Sequence, residues 1–440
     1  MCVEDNYISK IVDDKIEKIS DNLNVYDVGT VTSVKDFLLK IDGMDHVMFY
    51  EKINISDKAI GYVNSIQDNY VTVALVEVHS PINVGDMAYS TNTLFQGKYS
   101  NDAFGRIINI FGVDILSSKK FSTLIDIPIE RPTIAIMDRK SVNRPLETGI
   151  TGIDMLYPIG KGQRQLIIGD KRTGKTQILL DTIVNQKGKN VFCIYVAIGK
   201  TKKEVKTVYK ELVEKGAINY TIIISAFNDD LPPVISSTPY FALSIAEELM
   251  KVGTDVLVCI DDLKRHAEAY REISLLSGKT PGRDAYPADI FYTHSRLLEK
   301  GCQYKDGGSI TILPVIETKG NDITDYISTN VISITDGQIV LSSKNFQKGE
   351  TPAINYGLSV SRLGGAVQTQ ELKVMGIKIR KKLLSYLERK AVYELVNEDE
   401  MSEELKSSFN EGAQILEKLR QYKFSTKTHQ EMVDLFKGFQ

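Results

Sequence analysis

One stretch of eight residues constrains this chain more than any other. Gly169-Asp170-Lys171-Arg172-Thr173-Gly174-Lys175-Thr176 fits the pattern G-x-x-x-x-G-K-[ST], directly follows the apolar run Leu166 to Ile168, and opens a helical run from Gln177 to Asn185. That is the strand-loop-helix setting in which the pattern carries chemistry. Glycines let the backbone wrap an anion, and inward amides at a helix N-terminus favour phosphate. Gly169, Asp170, Lys171, Arg172, Thr173, Gly174 and Gln177 are expected to line such a bed. Lys175 should reach the β and γ phosphates, and the Thr176 hydroxyl should ligate magnesium. The expected ligand is therefore ATP or ADP with Mg2+.

A loop of this kind needs a mostly parallel sheet behind it, and the chain supplies one. Beyond Pro132, continuous apolar runs alternate with helical segments: Gln165 to Ile168, Val191 to Ile198, Tyr220 to Ser225, Val256 to Ile260 and Ser309 to Ile316. Strands buried on both faces read this way. Val331 to Thr335 and Gln338 to Ser342 flank Asp336-Gly337, and this pairing predicts a hairpin. Ahead of the sheet, from Val25 to about Thr91, short alternating runs separated by Gly, Asn and Asp predict a small β-barrel. Residues 1 to 24 predict a short polar helix, and the Leu-, Lys- and Glu-rich end, almost without Pro, predicts helices. The expected fold class is α/β: a P-loop nucleotide domain over 93–370, preceded by a barrel over 25–92 and followed by a helical domain over 371–440.

The run Val256 to Ile260 ends in Asp261-Asp262. An apolar strand ending in a carboxylate is the usual acidic partner of a P-loop, so Asp261 joins Thr176 as an expected magnesium ligand.

Composition excludes several alternatives. With 440 residues, 54 Lys+Arg against 57 Asp+Glu and a net charge of -3, the chain has no basic surplus for a general nucleic-acid binder. The polar N-terminus lacks a secretory pattern, and no apolar run reaches the ~20 residues of a membrane span. Cys2, Cys193, Cys259 and Cys302 are far apart, which argues against zinc or a disulfide framework. The expected location is cytoplasmic.

Seven segments together resemble the alpha subunits of F-type ATP synthases. They are Arg144-Pro-Leu-Glu-Thr-Gly149, Pro158-Ile-Gly-Lys-Gly-Gln-Arg164, the P-loop, Asp261-Asp-Leu263, Pro281-Gly-Arg-Asp-Ala-Tyr-Pro287, His294-Ser-Arg-Leu-Leu-Glu299 and Leu358-Ser-Val-Ser-Arg362. The likeness runs from about Val28 to Val433 and is densest between Arg144 and Gln368. It implies that the nucleotide domain is RecA-like and the helical domain shortened, in a hexameric ring with a catalytic beta-type partner around a central, gamma-type shaft, peripheral on the inner face of the membrane through other subunits. It also implies that Arg362 reaches into the partner's catalytic site as an arginine finger, with Ser359 in the same segment. Phe346, Pro352 and Gln421 are implied around the adenine.

The departures from that pattern carry their own expectations. Catalytic ring subunits place a water-activating glutamate after the strand matching Val191 to Ile198, and alpha subunits a glutamine; this chain has Lys200. A protonated lysine is no base, so the chain's own site is expected to be non-catalytic. Lys200 has two readings, one in which it neutralises a γ phosphate and one in which it belongs to a solvated basic run, Lys200 to Lys203. Thr351 and Lys423 replace an arginine and a glutamine of the adenine pocket. The acidic segment from Asn397 to Leu405 resembles a lever loop that touches the shaft, or is a solvated helix cap. The chain's early stop after Lys437 implies a divergent, shortened paralogue in a specialised motor, such as a wall-less bacterium would use for gliding or surface-protein movement. The alternative is a catalytic homohexamer of secretion or Rho type.

Overall fold

A computed structural model describes residues 27–393 and 403–439. The helix expected over 1–24 and most of the acidic segment, 397–402, lie outside the described residues. Two compact units are present, one ending at Phe95 and the other starting at Gln96.

The first unit is a closed antiparallel barrel of β1 (Val28–Lys35), β2 (Leu38–Asp42), β3 (Glu51–Ile55), β4 (Ala59–Ile66), β5 (Val71–Val78) and β6 (Met87–Leu94), ordered β1-β2-β5-β4-β3-β6. Closure leaves no unpaired strand edge. Val31, Leu39, Ile41, Ile53, Ile55, Val63 and Val73 fill it and are completely buried. The alternating runs Val28 to Val34, Phe37 to Ile41, Ala59 to Val63 and Tyr70 to Val78 fall on β1, β2, β4 and β5, whereas polar residues blur the alternation of β3 and β6. Glu51 on β3 is fully buried, yet its carboxylate accepts the backbone amides of Met48, Thr91 and Asn92 at 2.8, 3.2 and 2.8 Å. β6 continues past the expected barrel limit at residue 92.

The second unit is built on a sheet of β7 (Leu166–Asp170), β8 (Val191–Lys200), β9 (Thr221–Phe227), β10 (Asp255–Asp261), β11 (Ser309–Thr318) and β12 (Gly337–Leu341), in the order β9-β8-β10-β11-β7-β12 and all parallel. The short β13 (Val360–Ser361) closes one edge antiparallel to β12. Helices α1 (Lys175–Val184), α2 (Lys202–Glu214), α3 (Pro232–Lys251), α4 (Leu263–Leu276), α5 (Ile290–Leu298) and α6 (Tyr326–Ile334) connect these strands. The apolar runs are continuous because the strands are covered on both faces; Ile194, Val196, Ile222, Ile224, Val258 and Ile260 are wholly buried.

The expected hairpin at Asp336-Gly337 does not form. Val331 to Ile334 finish α6, started by Asp325 accepting the Ser328 amide, and only the second run is a strand. Asp336 ends the connection by binding Arg164 through its carboxylate, at 2.7 Å to Nη2 and 3.0 Å to Nε. Gly337 is required by crowding: a Cβ there would lie 2.4 Å from the Val360 carbonyl of β13. Tertiary pairing with β7 and β13 overrode the turn signal.

Among the described residues, three α-helices follow the sheet's last strand region: α7 (Gln370–Tyr393), α8 (Glu403–Lys418) and α9 (His429–Phe436). Leu372, Met375, Ile379, Ile415 and Phe436 share one hydrophobic core with Met155, Leu179 and Ile183 of the nucleotide domain. Gly376 permits that contact, since a Cβ there would sit 2.4 Å from the Met155 carbonyl. Among the described residues no helix is long and apolar enough to cross a membrane.

Candidate nucleotide site

The P-loop sits between β7 and α1, at the carboxyl ends of parallel strands where open α/β sheets bind ligands. Two of its residues take left-handed backbone, Arg172 at φ 65° and Gly174 at φ 97°. Gly169 is held to glycine by packing, because a Cβ would come within 2.7 Å of the Leu341 carbonyl. Lys175 is buried and its Nζ donates to the Gly169 and Asp170 carbonyls at 2.9 and 2.6 Å. Burial pulls its pKa below the usual lysine value, against the pull of Glu317, Asp262 and Asp261. The Asp170 carboxylate is turned away from the loop's interior, accepting Thr318 Oγ1 at 2.6 Å and the Asn321 amide at 2.9 Å. Its side chain therefore anchors the neighbouring loop, and only its backbone serves the bed.

Asp261 ends β10 with 1% of its surface exposed. Its Oδ2 accepts the Thr176 hydroxyl at 2.7 Å and the Tyr195 hydroxyl at 2.8 Å. Its Oδ1 accepts no aligned hydrogen bond but faces Lys200 Nζ at 2.8 Å in an ion pair. Sequence reasoning named Thr176 and Asp261, and the structure brings them together. It missed Tyr195, which looked like one more residue of an apolar strand. Of the two readings of Lys200, the solvated lysine does not hold, because its side chain is half-buried against Asp261. Burial alone would lower the Lys200 pKa, but the Asp261 carboxylate outweighs it and the net direction is upward. Next to it Asp262 is buried, and burial together with Asp261 pushes its carboxyl up to about 6.

A bulge in β8 aims Lys200. Ile198 pairs with Ala226 and Lys200 with Phe227, so Gly199 is the extra residue, at φ 61°. Strict alternation would put Lys200 on the face opposite Tyr195; one inserted residue returns it to Tyr195's face. The visible signal in the sequence was Gly199 itself, a glycine at the end of a buried strand.

The Thr176 hydroxyl and the Asp261 carboxylate are hard oxygen donors of the kind magnesium takes, but Oδ1 is already met by the Lys200 ammonium at 2.8 Å. The oxygens suit the ion, and the ammonium beside them competes with it. Thr176 and Asp261 would hold it, and it would supply positive charge to the phosphates.

Beside the P-loop a pocket of about 340 Å³ is lined by Thr173, Gly174, Gln177, Phe346, Pro352 and Gln421, among others. Phe346 is 46% exposed and forms wall, not core. Gln421 lines the pocket too, but its amide is spent internally. Oε1 accepts from the Thr151 amide and hydroxyl, both at 3.0 Å, and Nε2 donates to the Gly149 and Ser425 carbonyls, both at 2.7 Å. It fixes the pocket's floor and has no hydrogen bond left for a base. Lys171 lies apart from this pocket, in a neighbouring cleft with Lys200, Asp262 and Glu317.

A phosphate loop with its hydroxyl on a strand-end carboxylate, beside an aromatic-walled pocket, is the arrangement of a nucleotide-binding domain. Residues 149–361 match the family model described as ATP synthase alpha/beta family, nucleotide-binding domain. That segment is thus similar to the nucleotide-binding domain of this family.

Arg362 lies just past the matched segment and just after β13. It is exposed; its amide donates to the Asp336 carbonyl at 2.9 Å and its Nη2 to the Ile332 carbonyl at 3.3 Å. Ser359, by contrast, is completely buried. Its hydroxyl donates to the Asn355 carbonyl at 2.7 Å and accepts the Val340 amide at 3.0 Å. Ser359 thereby holds the loop that carries Arg362.

Proposed function

We propose that this chain is a non-catalytic, alpha-type subunit in the hexameric ring of a rotary F-type-like ATPase. In this reading it holds ATP or ADP with magnesium on Thr176 and Asp261. It alternates with a catalytic beta-type partner around a gamma-type shaft, reaches the membrane only through other subunits, and donates Arg362 in trans. The observation that carries the reading is the occupant of the β8 terminus. Lys200, an ammonium paired with Asp261 at 2.8 Å, stands where a water-activating carboxylate is needed. Glu204 does not replace it, because its carboxylate accepts the Thr201 amide and hydroxyl at 2.8 and 2.7 Å as part of a capping box. The exposed, backbone-anchored Arg362 supports the trans role, since a guanidinium can stabilise charge on a transferred phosphoryl group.

One observation favours a second reading, a catalytic homohexamer: Glu317 lines the cleft that also holds Lys171 and Lys200. Phosphate release by the isolated chain separates the two. Non-catalytic function predicts bound Mg-nucleotide with negligible turnover; steady hydrolysis on the order of 1 per second, abolished by Glu317→Gln, would establish the second reading instead.

A further inference from the structure

We infer that Lys200 is a resident counter-cation of Asp261, so that this site retains nucleotide with little dependence on Mg2+. The inference rests on the site being a nucleotide site and concerns what compensates its charge. Asp261 is the most enclosed acidic group beside the P-loop. One of its oxygens already accepts two hydroxyls, from Thr176 and Tyr195, and the other faces the Lys200 ammonium at 2.8 Å. A divalent ion entering on Asp261 must either displace this ammonium or sit beside it, and both are unfavourable in a site screened from water.

The placement is built into the backbone. Gly199 makes the bulge that turns Lys200 onto Asp261's side of the sheet. The same glycine leaves room for α4, since a Cβ at that position would meet Arg265 Cβ at 3.0 Å. The Lys200 side chain is 24% exposed. It borders one cleft with Thr176, Tyr195 and Asp261, and a second with Lys171 and Glu317. The ammonium thus lies between the metal-type oxygens and a P-loop lysine. There it offsets Asp261 and adds positive charge for a phosphate tail, the two electrostatic tasks a magnesium ion performs.

The test uses the full chain stripped of nucleotide and metal. Fluorescent ADP is titrated in Mg2+ and in EDTA, and Mn2+ binding in the presence of ADP is followed by electron paramagnetic resonance. Wild type and Lys200→Arg, which keeps the charge, should change their ADP affinity by less than about threefold between the two buffers. Lys200→Gln should lose about tenfold or more in EDTA and bind Mn2+ about tenfold more tightly than wild type. A wild-type chain that itself loses about tenfold in EDTA overturns the inference, even if Lys200→Gln fails to fold, and so does a Lys200→Gln chain indistinguishable from wild type. Those results leave the nucleotide reading standing. Absence of ADP binding in both buffers overturns the nucleotide reading and this inference with it.

Discussion

The barrel and the nucleotide domain each bury a carboxylate almost completely, and they treat it in opposite ways. Glu51 in the barrel is met by three backbone amides that the strands hold in place. Asp261 in the nucleotide domain is met by the side chains of Thr176, Tyr195 and Lys200, which come from three different positions on the sheet and the P-loop. Backbone donors cannot leave, so Glu51 is structural; side-chain donors can be exchanged for a ligand, so Asp261 is available for binding. The contrast extends further. The barrel's histidines, His46 and His79, are exposed, whereas the nucleotide domain buries His266 and His294 against each other at 3.3 Å and the Lys300–Glu247 ion pair at 2.9 Å. Buried ionisable groups are expensive to keep. In this chain they concentrate in the unit that carries the site.

If charges in the nucleotide domain divide into buried structural groups and exposed working ones, the exposed Arg362 should matter to a partner and hardly to this chain. Arg362→Ala, assembled with a beta-type partner, is expected to cut the complex's ATPase rate by roughly a hundredfold or more, and Arg362→Lys to recover little. Melting temperature and ring assembly should stay the same. A loss below roughly tenfold in a fully assembled ring, checked by size exclusion, would remove Arg362 from the reaction.

Lys300→Met tests the opposite class. Burial pushes Glu247 upward, and Lys300 only partly holds it down. Removing the lysine strands the carboxylate and should cost about 3–5 kcal/mol in urea unfolding, with ADP affinity unchanged once the variant is folded.

Acid should also distinguish the units. Burial lowers the His266 pKa from 6.5 to about 4 and puts His294 well below 6.5, with His266 adding to the effect. Above pH 6.5 neither the folded nor the unfolded chain protonates them. Below it only the unfolded chain does, so stability falls as pH falls, and His266's share of roughly 3 kcal/mol is fully lost near pH 4. Hydrogen exchange, corrected for its intrinsic pH dependence, should show peptides of 96–440 losing protection across this window before those of the barrel. Equal loss in both units would mean that the buried histidines do not set the acid response.

The smallest effect belongs to the barrel. Glu51→Ala leaves three amides without an acceptor and should destabilise the barrel by about 2 kcal/mol, while fluorescent ADP binds as in the wild type. A change in ADP affinity would show that the separation of roles between the two units is wrong.

The P-loop, its strand and helix, and the Asp261 strand end were legible from residue order alone, because a phosphate bed needs fixed residue types at fixed spacing and a buried strand needs a continuous apolar run. The barrel was legible in part: β1, β2, β4 and β5 alternate, but β3 and β6 carry Glu51 and Thr91, which reach across to each other's strands, Glu51 accepting the Thr91 amide and the Thr91 hydroxyl donating to the Lys52 carbonyl. The hairpin at Asp336-Gly337 failed for the same reason, since a local turn preference was outweighed by pairing with β7 and β13. Tertiary structure alone decided how the polar side chains are used. Tyr195 and Lys200 converge on Asp261 because a bulge at Gly199 changes which face a lysine occupies. Gln421 and Ser359 turn inward because buried backbone groups claim their hydrogen bonds first. Spacing along the chain sets what a segment can be; which partner a buried polar atom finds depends on strands and helices far away in sequence.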